Sequence, residues 1–498
     1  MSSVDSYKPL QSVVFGHRFK ANQSFYEYIL EFLIVVFSEK SIDGKKLDGL
    51  FPLVDDINSG IEYRVKNKAG LKRFIFFEKS KLDGRFNLDK KAYELHLDLL
   101  KDYIEIEDDL AYLNKDIAIE LIQNLLYGFS AVLENRSWFA QSMLPICKHT
   151  LMPEIMGTKG KRNVDYDVMS DDFKEKVDSV FQTNRYNFMA RGGEVYYLHV
   201  LSALNNYPQY KQEIENGFNL LINQFDELEK LCENIQNTWI NTAEVKEEKT
   251  VVTKTLGYIP NGFKNREEKT LIELINILYS EMHPFEKIET LAKGIIFQIM
   301  IMCYEQARNV VGKEKGYLIF DVNCYKGKSN EEVKKIATMN YQEYEQDLLN
   351  ALYANVSNNK NRDKSGNEKS EQDTIKEAID DSIKVYKKLG KRIGIIRPIN
   401  EKSIRFTLNE GILKYLVVSL IKPNTKMTFD RFLDKLCLNY GIIIGNEQLT
   451  KIDKKYLNID LSFLEINKKD LQVMLKDSGF LRELSDSTSI VENPYMEV

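Results

Sequence analysis

PQYKQEIENGFNLLINQFDELEKLCENIQNTW, residues 208–239, carries the most regular pattern in the chain. Ile214, Phe218, Leu221, Phe225, Leu228, Cys232, Ile235 and Trp239 follow one another at alternating intervals of four and three. Apolar residues at that spacing line one seam of an α-helix, the pattern by which helices pack side by side. Pro208 suits a helix start, where its missing N–H costs nothing. Gly217 weakens the pattern by about 1 kcal/mol in helix propensity. The stretch therefore predicts one long helix. Its seam, above all Ile214, Phe218, Leu221, Phe225, Leu228 and Ile235, is an expected coiled-coil face for the rest of the chain, for a partner or for a second copy.

Helical periodicity extends on both sides. Ser24 and Glu27 stand at the spacing of a capping box, ahead of the apolar run Phe25 to Val36. Further helices are expected at Asp89–Tyr103, at Lys115–Glu134 (with Ile117, Leu121, Leu125, Phe129 and Val132 on one face), at Glu194–Asn205, Asn265–Glu281, Phe285–Val311 and Asn330–Val356. Leu71–Phe77 fits either a strand or a short buried helix, since periodicity does not separate the two at that length. Tyr317–Phe320 reads as one short strand. The run SNNKNRDKSGNEKSEQ, residues 357–372, has no residue suited to a core and reads as a disordered linker.

Beyond it, Ile375, Ile379, Ile383 and Tyr386 line an amphipathic helix that ends in Lys387, Lys388, Lys391 and Arg392. Ser403–Leu408 reads as a strand, and Asn409, Thr428 and Asn467 each stand where they would cap a helix. Gly479 suits the residue that closes the third of these, and Phe480–Val491 offers a β return. Three helices followed by a strand is the order of a winged helix, although the connection 441–465 is long for one. The fold expected is mainly α and multi-domain with a few short strands. Residues 1–206 form a helical domain with a small sheet, 207–356 the domain of the heptad helix, 357–372 the linker, and 373–498 a C-terminal module of winged-helix order.

Bulk properties narrow the functional classes. The 498 residues suffice for about three domains. Lys and Arg number 69 against 74 Asp and Glu, so no global basic excess points to nucleic acid. The five cysteines include no C-x-x-C pair, which fits reduced thiols rather than a zinc ribbon or disulfide scaffold. The opening MSSVDSYKPLQ has no signal-peptide pattern. The longest apolar runs, Tyr28–Phe37 and Gly294–Tyr304, fall well short of the roughly 20 residues of a membrane span. Abundant Lys, Asn and Ile suggest an AT-rich, bacterial genome, and the expected location is the cytoplasm.

Catalytic signatures are sparse. No P-loop string occurs, and its nearest imitation is Gly157-Thr158-Lys159-Gly160-Lys161-Arg162, read as a solvated loop. No G-x-G-x-x-G follows a strand, and the five histidines include no H-x-x-x-H. Cys147 and His149 stand two apart, which fits a polar turn near Pro145 better than half a metal site. No metal or cofactor is expected. A metal-dependent nuclease would draw on Asp55 or Asp56 and on Glu78-Lys79-Ser80-Lys81, provided that an acid and an E-x-K element lie on adjacent strands.

In Arg136-Ser137-Trp138-Phe139-Ala140-Gln141, the tryptophan reads as core, with a docking patch as the alternative. Lys72, Arg73 and Phe74, and separately Lys387, Lys388, Lys391 and Arg392, are candidate contacts for a nucleic-acid backbone. On the third helix of the C-terminal module Lys468, Lys469, Gln472 and Lys476 would face a DNA groove, diluted by Asp470 and Asp477. The functional expectation is a non-enzymatic assembly or adaptor subunit of a complex, with other protein subunits as partners and DNA as a further one. DNA maintenance or antiviral defence is the setting such a subunit suits. The nuclease is the alternative.

Overall fold

The computed structural model describes residues 8–498 apart from 18, 20–22, 67, 81–86, 107–113, 133–135, 158–180, 183–191, 244–250, 328, 399–402, 453–460 and 486–487. The described chain is mostly helical, with small sheets. It opens with α1 (Leu10–Phe15) and α2 (Phe25–Phe37), then β1 (Glu39–Ile42), β2 (Lys45–Leu47) and β3 (Glu62–Lys66). Helices α3 (Ala69–Phe76), α4 (Asn87–Tyr103) and α5 (Lys115–Tyr127) follow. The short pairs β4 (Ser130–Val132) with β5 (Ser142–Met143) and β6 (Met156–Gly157) with β7 (Phe181–Gln182) come next. The middle of the chain holds α6 (Gly192–Asn206), α7 (Lys211–Ile222), α8 (Asp226–Ala243), β8 (Val251–Thr255), α9 (Glu267–Leu278), α10 (Pro284–Val310), β9 (Leu318–Ile319) and α11 (Glu331–Tyr353).

After these come α12 (Glu371–Asp380), α13 (Ile383–Ile393), β10 (Ile396–Arg397), β11 (Arg405–Phe406), α14 (Glu410–Leu420), β12 (Lys426–Thr428), α15 (Phe429–Tyr440) and β13 (Ile442–Ile443). The chain closes with α16 (Asn446–Ile452), α17 (Phe463–Asp477), β14 (Leu481–Ser485) and β15 (Thr488–Glu492).

The apolar run of α2 is buried on nearly every side from Tyr28 to Val36, which is why it lies between α6 and α10. At its start, the Glu27 carboxylate accepts the Ser24 backbone N–H at 2.6 Å, one arm of the expected capping box. The largest buried cluster runs from Leu10 to Val491 and draws on residues either side of every boundary expected from sequence. A second cluster joins α3, α4 and α5 to the far half of the 208–239 stretch, through Cys232, Ile235 and Trp239. A third, small one gathers Ile319, Val333, Ala337, Ile443, Leu449, Leu461 and Leu464.

The single long helix expected over 208–239 is two helices, α7 and α8, which break at Asn223–Phe225. Asp226, Glu227 and Glu229 place three carboxylates in the first turn of α8, where the helix dipole favours negative charge. The break lets the seam divide. Ile214, Phe218 and Leu221 enter the main cluster, Cys232, Ile235 and Trp239 the second, and half-buried Phe225 and Leu228 lie at the join. The coiled-coil face is therefore occupied by the chain's own core. Gly217 now has a reason, since a Cβ there would stand 3.0 Å from Leu278 of α9.

Other expectations shift too. Leu71–Phe77 is the helix α3 and its last turn, buried along its length. Helix α5 ends at Tyr127, and Ile117, Leu121 and Leu125 are exposed, because Ile119 and Leu126 form the buried side instead. Val251–Thr255 forms β8, which completes the antiparallel sheet β2–β1–β3–β8. The run 357–372 is ordered by hydrogen bonds rather than by apolar burial. The Asn361 side chain accepts the Leu10 N–H at 2.8 Å, and its backbone N–H donates to Thr374 Oγ1 at 3.0 Å. The Asp363 carboxylate turns the chain by accepting N–H groups of Ser365 and Asn367 at 2.8 and 3.0 Å.

Candidate interaction face

Past residue 410 the order is α14, β12, α15, β13, α16, α17 and the β14–β15 hairpin, with β15 lying between β12 and β14 in an antiparallel sheet. Local chemistry sets these elements. Asn409 caps α14 by accepting the Ile412 N–H at 2.8 Å, and Thr428 caps α15 through Arg431 at 3.4 Å, both as expected. Gly479 adopts a φ of 77° after α17, the left-handed conformation that suits glycine.

Asn467 does something other than cap. Helix α17 begins four residues earlier, at Phe463, and the Asn467 amide is buried in its interior. It donates to the carbonyls of Phe320 and Ile444 at 2.8 and 2.9 Å, and accepts the Val322 N–H at 3.0 Å. Those bonds fasten α17 to the pair β9 and β13, whose strands run parallel. The long connection 441–465 thus supplies a strand and a short helix to the body of the protein.

Leu464, Leu471 and Leu475 point inward from α17 and are buried. The opposite side carries Ile466, Lys469, Val473 and Lys476, at the three- and four-residue intervals that share a helix face. Ile466 is 48% exposed and Val473 49% exposed. Leu484, on the neighbouring strand β14, is 64% exposed. None of these three apolar residues figured in the sequence reading. The signal of Ile466 and Val473 was an apolar residue on the wrong side of an otherwise ordinary amphipathic helix.

The charges here are largely matched. Lys468 pairs with Asp430 at 2.8 Å and Glu447 at 3.6 Å. Burial pulls its pKa down, but Asp430 and Glu447 outweigh that and hold it above the ordinary lysine range. Lys476 pairs with Glu483 at 2.9 Å, and Arg482 with Glu492 at 2.6 Å. A groove alongside is lined by Glu410, Asp470, Met474 and Asp477, and a second by Glu286, Glu289, Lys293 and Lys414. Phosphates approaching α17 would meet these carboxylates as well as Lys469 and Lys476.

The other basic candidates lie elsewhere. On α13, Lys387 pairs with Glu345 at 3.1 Å and stands over the Tyr341 ring, while Lys388, Lys391 and Arg392 are half-buried. Lys72 and Arg73 are not surface residues at all. Lys72 donates to the Gln141 carbonyl at 2.5 Å, and Arg73 lies between the rings of Trp138 and Trp239, 5.0 and 4.7 Å from their centres. Trp138 is core, and Arg136 clamps the Glu27 carboxylate with two bonds of 2.5 and 2.9 Å.

Glu78 follows a helix rather than a strand, so the strand-borne E-x-K element of the nuclease alternative does not form. Lys79 beside it donates to Asn124, and Lys81 lies outside the described residues, as does 158–162 of the glycine-containing loop. Cys147 and His149 do sit in a turn, held by Thr150. Among the described residues, no group of three or more His, Cys, Asp or Glu side chains is arranged to hold a metal ion, and no helix is long and apolar enough to cross a membrane. The chain matches no protein-family model, and no characterised protein was found similar to it in sequence.

Proposed function

We propose that the protein is a non-enzymatic assembly subunit whose C-terminal unit, residues 410–492, is a winged helix that docks another protein on the outer face of α17. The observation that carries this reading is the pair Ile466 and Val473, exposed in alternation with Lys469 and Lys476 on the helix that a winged helix uses for recognition. Apolar side chains ringed by polar ones mark protein contact more than phosphate contact. The near-equal numbers of basic and acidic residues in this unit point the same way. The partner that fits carries an apolar strip flanked by carboxylates, complementary to Lys469 and Lys476. The element order also supports the second reading, in which Lys469, Gln472 and Lys476 enter a DNA groove.

One comparison separates the two. Full-length wild type and the double variant Ile466→Asp/Val473→Asp are used to capture partners from extract of the native host. The same proteins, with Lys469→Ala/Lys476→Ala, are titrated with a labelled DNA duplex across a salt series. Protein docking predicts a stoichiometric protein partner lost from the apolar double variant, and weak duplex binding unaffected by the lysine changes. Tight, steeply salt-dependent duplex binding that the lysine changes abolish would replace it with the DNA reading.

A further inference from the structure

A different part of the molecule holds a pair of thiols brought together from residues 85 apart in sequence. The turn 146–150 is closed by Thr150, whose hydroxyl oxygen accepts the N–H groups of Ile146 and Cys147 at 3.0 and 3.1 Å. His149, at the outer edge of the turn, is latched to α8. Its backbone N–H donates to one Glu229 carboxylate oxygen at 2.8 Å, and its Nδ1 lies 2.6 Å from the other.

Cys147 lies two residues inward from His149 on the turn, and Cys232 lies one helical turn beyond Glu229 on the same face of α8. The latch therefore holds the turn that carries Cys147 against the face of α8 that carries Cys232, and the two buried thiols lie near enough to shift each other's protonation. Both are buried, but the covering side chains of His149 and Glu229 are 18% and 25% exposed, so the pair lies one layer beneath solvent. Lys68 completes the surroundings, donating to the Lys148 carbonyl at 3.1 Å.

We propose that Cys147 and Cys232 are an oxidisable dithiol, a modification site at which peroxide closes a reversible disulfide between the 146–150 turn and α8. Cys147 is the attacking sulfur. The neighbouring Cys232 thiol holds its pKa below the ordinary thiol range, against burial and the Glu229 carboxylate, which push it up. Cys232 is shifted the other way, by Cys147 beside it and by burial, and keeps its proton.

The Cys147 thiolate takes one oxygen from hydrogen peroxide, forming a sulfenic acid and releasing hydroxide. The Cys232 sulfur then attacks the Cys147 sulfur, the S–O bond breaks, and the hydroxyl leaves as water with the Cys232 proton. In balance, two thiols and one peroxide give one disulfide and two waters. The bond closes a loop spanning residues 147–232, so the oxidised protein is the more stable form. The lack of a metal-holding group of three or more such side chains among the described residues favours this over a metal site built on the same two sulfurs.

The test uses full-length protein in native buffer, treated with peroxide or diamide, then unfolded and alkylated with a maleimide. Peptide mapping is expected to show a Cys147–Cys232 cross-link, reversed by dithiothreitol, with Cys303 still alkylated and the thermal midpoint raised. In Cys232→Ser, Cys147 should stop at sulfenic acid, trapped by dimedone. Because the mapping is done on wild type, it stands even where a variant fails to fold. Two thiols that stay free after oxidant, or one zinc ion bound per chain and lost in Cys232→Ser, would overturn the proposal.

Discussion

The seam of α7 and α8 and the outer face of α17 are both apolar residues spaced three and four apart, yet they end in opposite environments. Ile214, Phe218, Leu221, Cys232, Ile235 and Trp239 are buried almost completely, shared between two cores. Ile466 and Val473 stand about half exposed. The seam is the stronger pattern and marks structure. The short outer face is the weaker one, and it is the part left over once Leu464, Leu471 and Leu475 have packed. A periodic apolar stripe says that something will be covered, and only the fold says whether the cover is the chain itself.

The largest effect is expected on the seam. Leu221→Asp should cost about 5 kcal/mol, since it removes packing and buries an unpaired charge. Chemical denaturation measures this. A folded Leu221→Asp protein that changes only its sedimentation mass would instead make the seam an interface between copies.

Next comes the contrast between charge pairs. Arg136→Ala strands Glu27, which burial already pushes up to about 7 despite Arg136, and should cost about 3 kcal/mol in the same assay. Lys468→Ala removes the partner of two exposed carboxylates, Asp430 and Glu447, and should cost under about 1 kcal/mol. Equal losses would mean that α17 is held as rigidly as the core.

Between these two falls the latch. Burial raises the Glu229 pKa, but the two bonds from His149 lead the effects that more than offset it and lower it to about 2. A carboxyl depressed in the folded state adds stability above its unfolded pKa, near 4.5, and loses that contribution as pH falls from there towards 2. Glu229→Gln should therefore flatten acid unfolding over that window, by about 1 kcal/mol after allowance for partial exposure. An unchanged pH profile would show the latch to be energetically silent. Smallest in stability is Val473→Asp, expected to shift it by less than about 0.5 kcal/mol while weakening partner binding more than tenfold.

Much of the helical architecture was legible in the sequence, because capping residues and periodicity are local signals. Asn409, Thr428 and Gly479 act as read. What escaped was set at a distance. The break at Asn223 follows from two cores competing for one seam, and Asn467 is claimed by carbonyls more than 20 and 140 residues away. In the run 357–372 composition shows no core residue, and it does not announce the bonds that Asn361 makes to Leu10 and Thr374 or the turn that Asp363 closes. Arg73 read as a surface cation because no sequence signal announces two tryptophans folding over it. For the same reason, the eight basic and polar candidates on α13 and α17 were legible as charges, but not the carboxylates that answer Lys387, Lys468 and Lys476.

What touches the outer face of α17 decides between the two functions. A photo-crosslinking residue placed at Val473, in full-length protein expressed in its native host, reads that contact directly, with exposed Leu438 as the reference position. The account predicts one discrete protein adduct from position 473, absent from position 438 and lost when Ile466→Asp is added. An adduct with nucleic acid from position 473, or the same diffuse labelling from both positions, would contradict it.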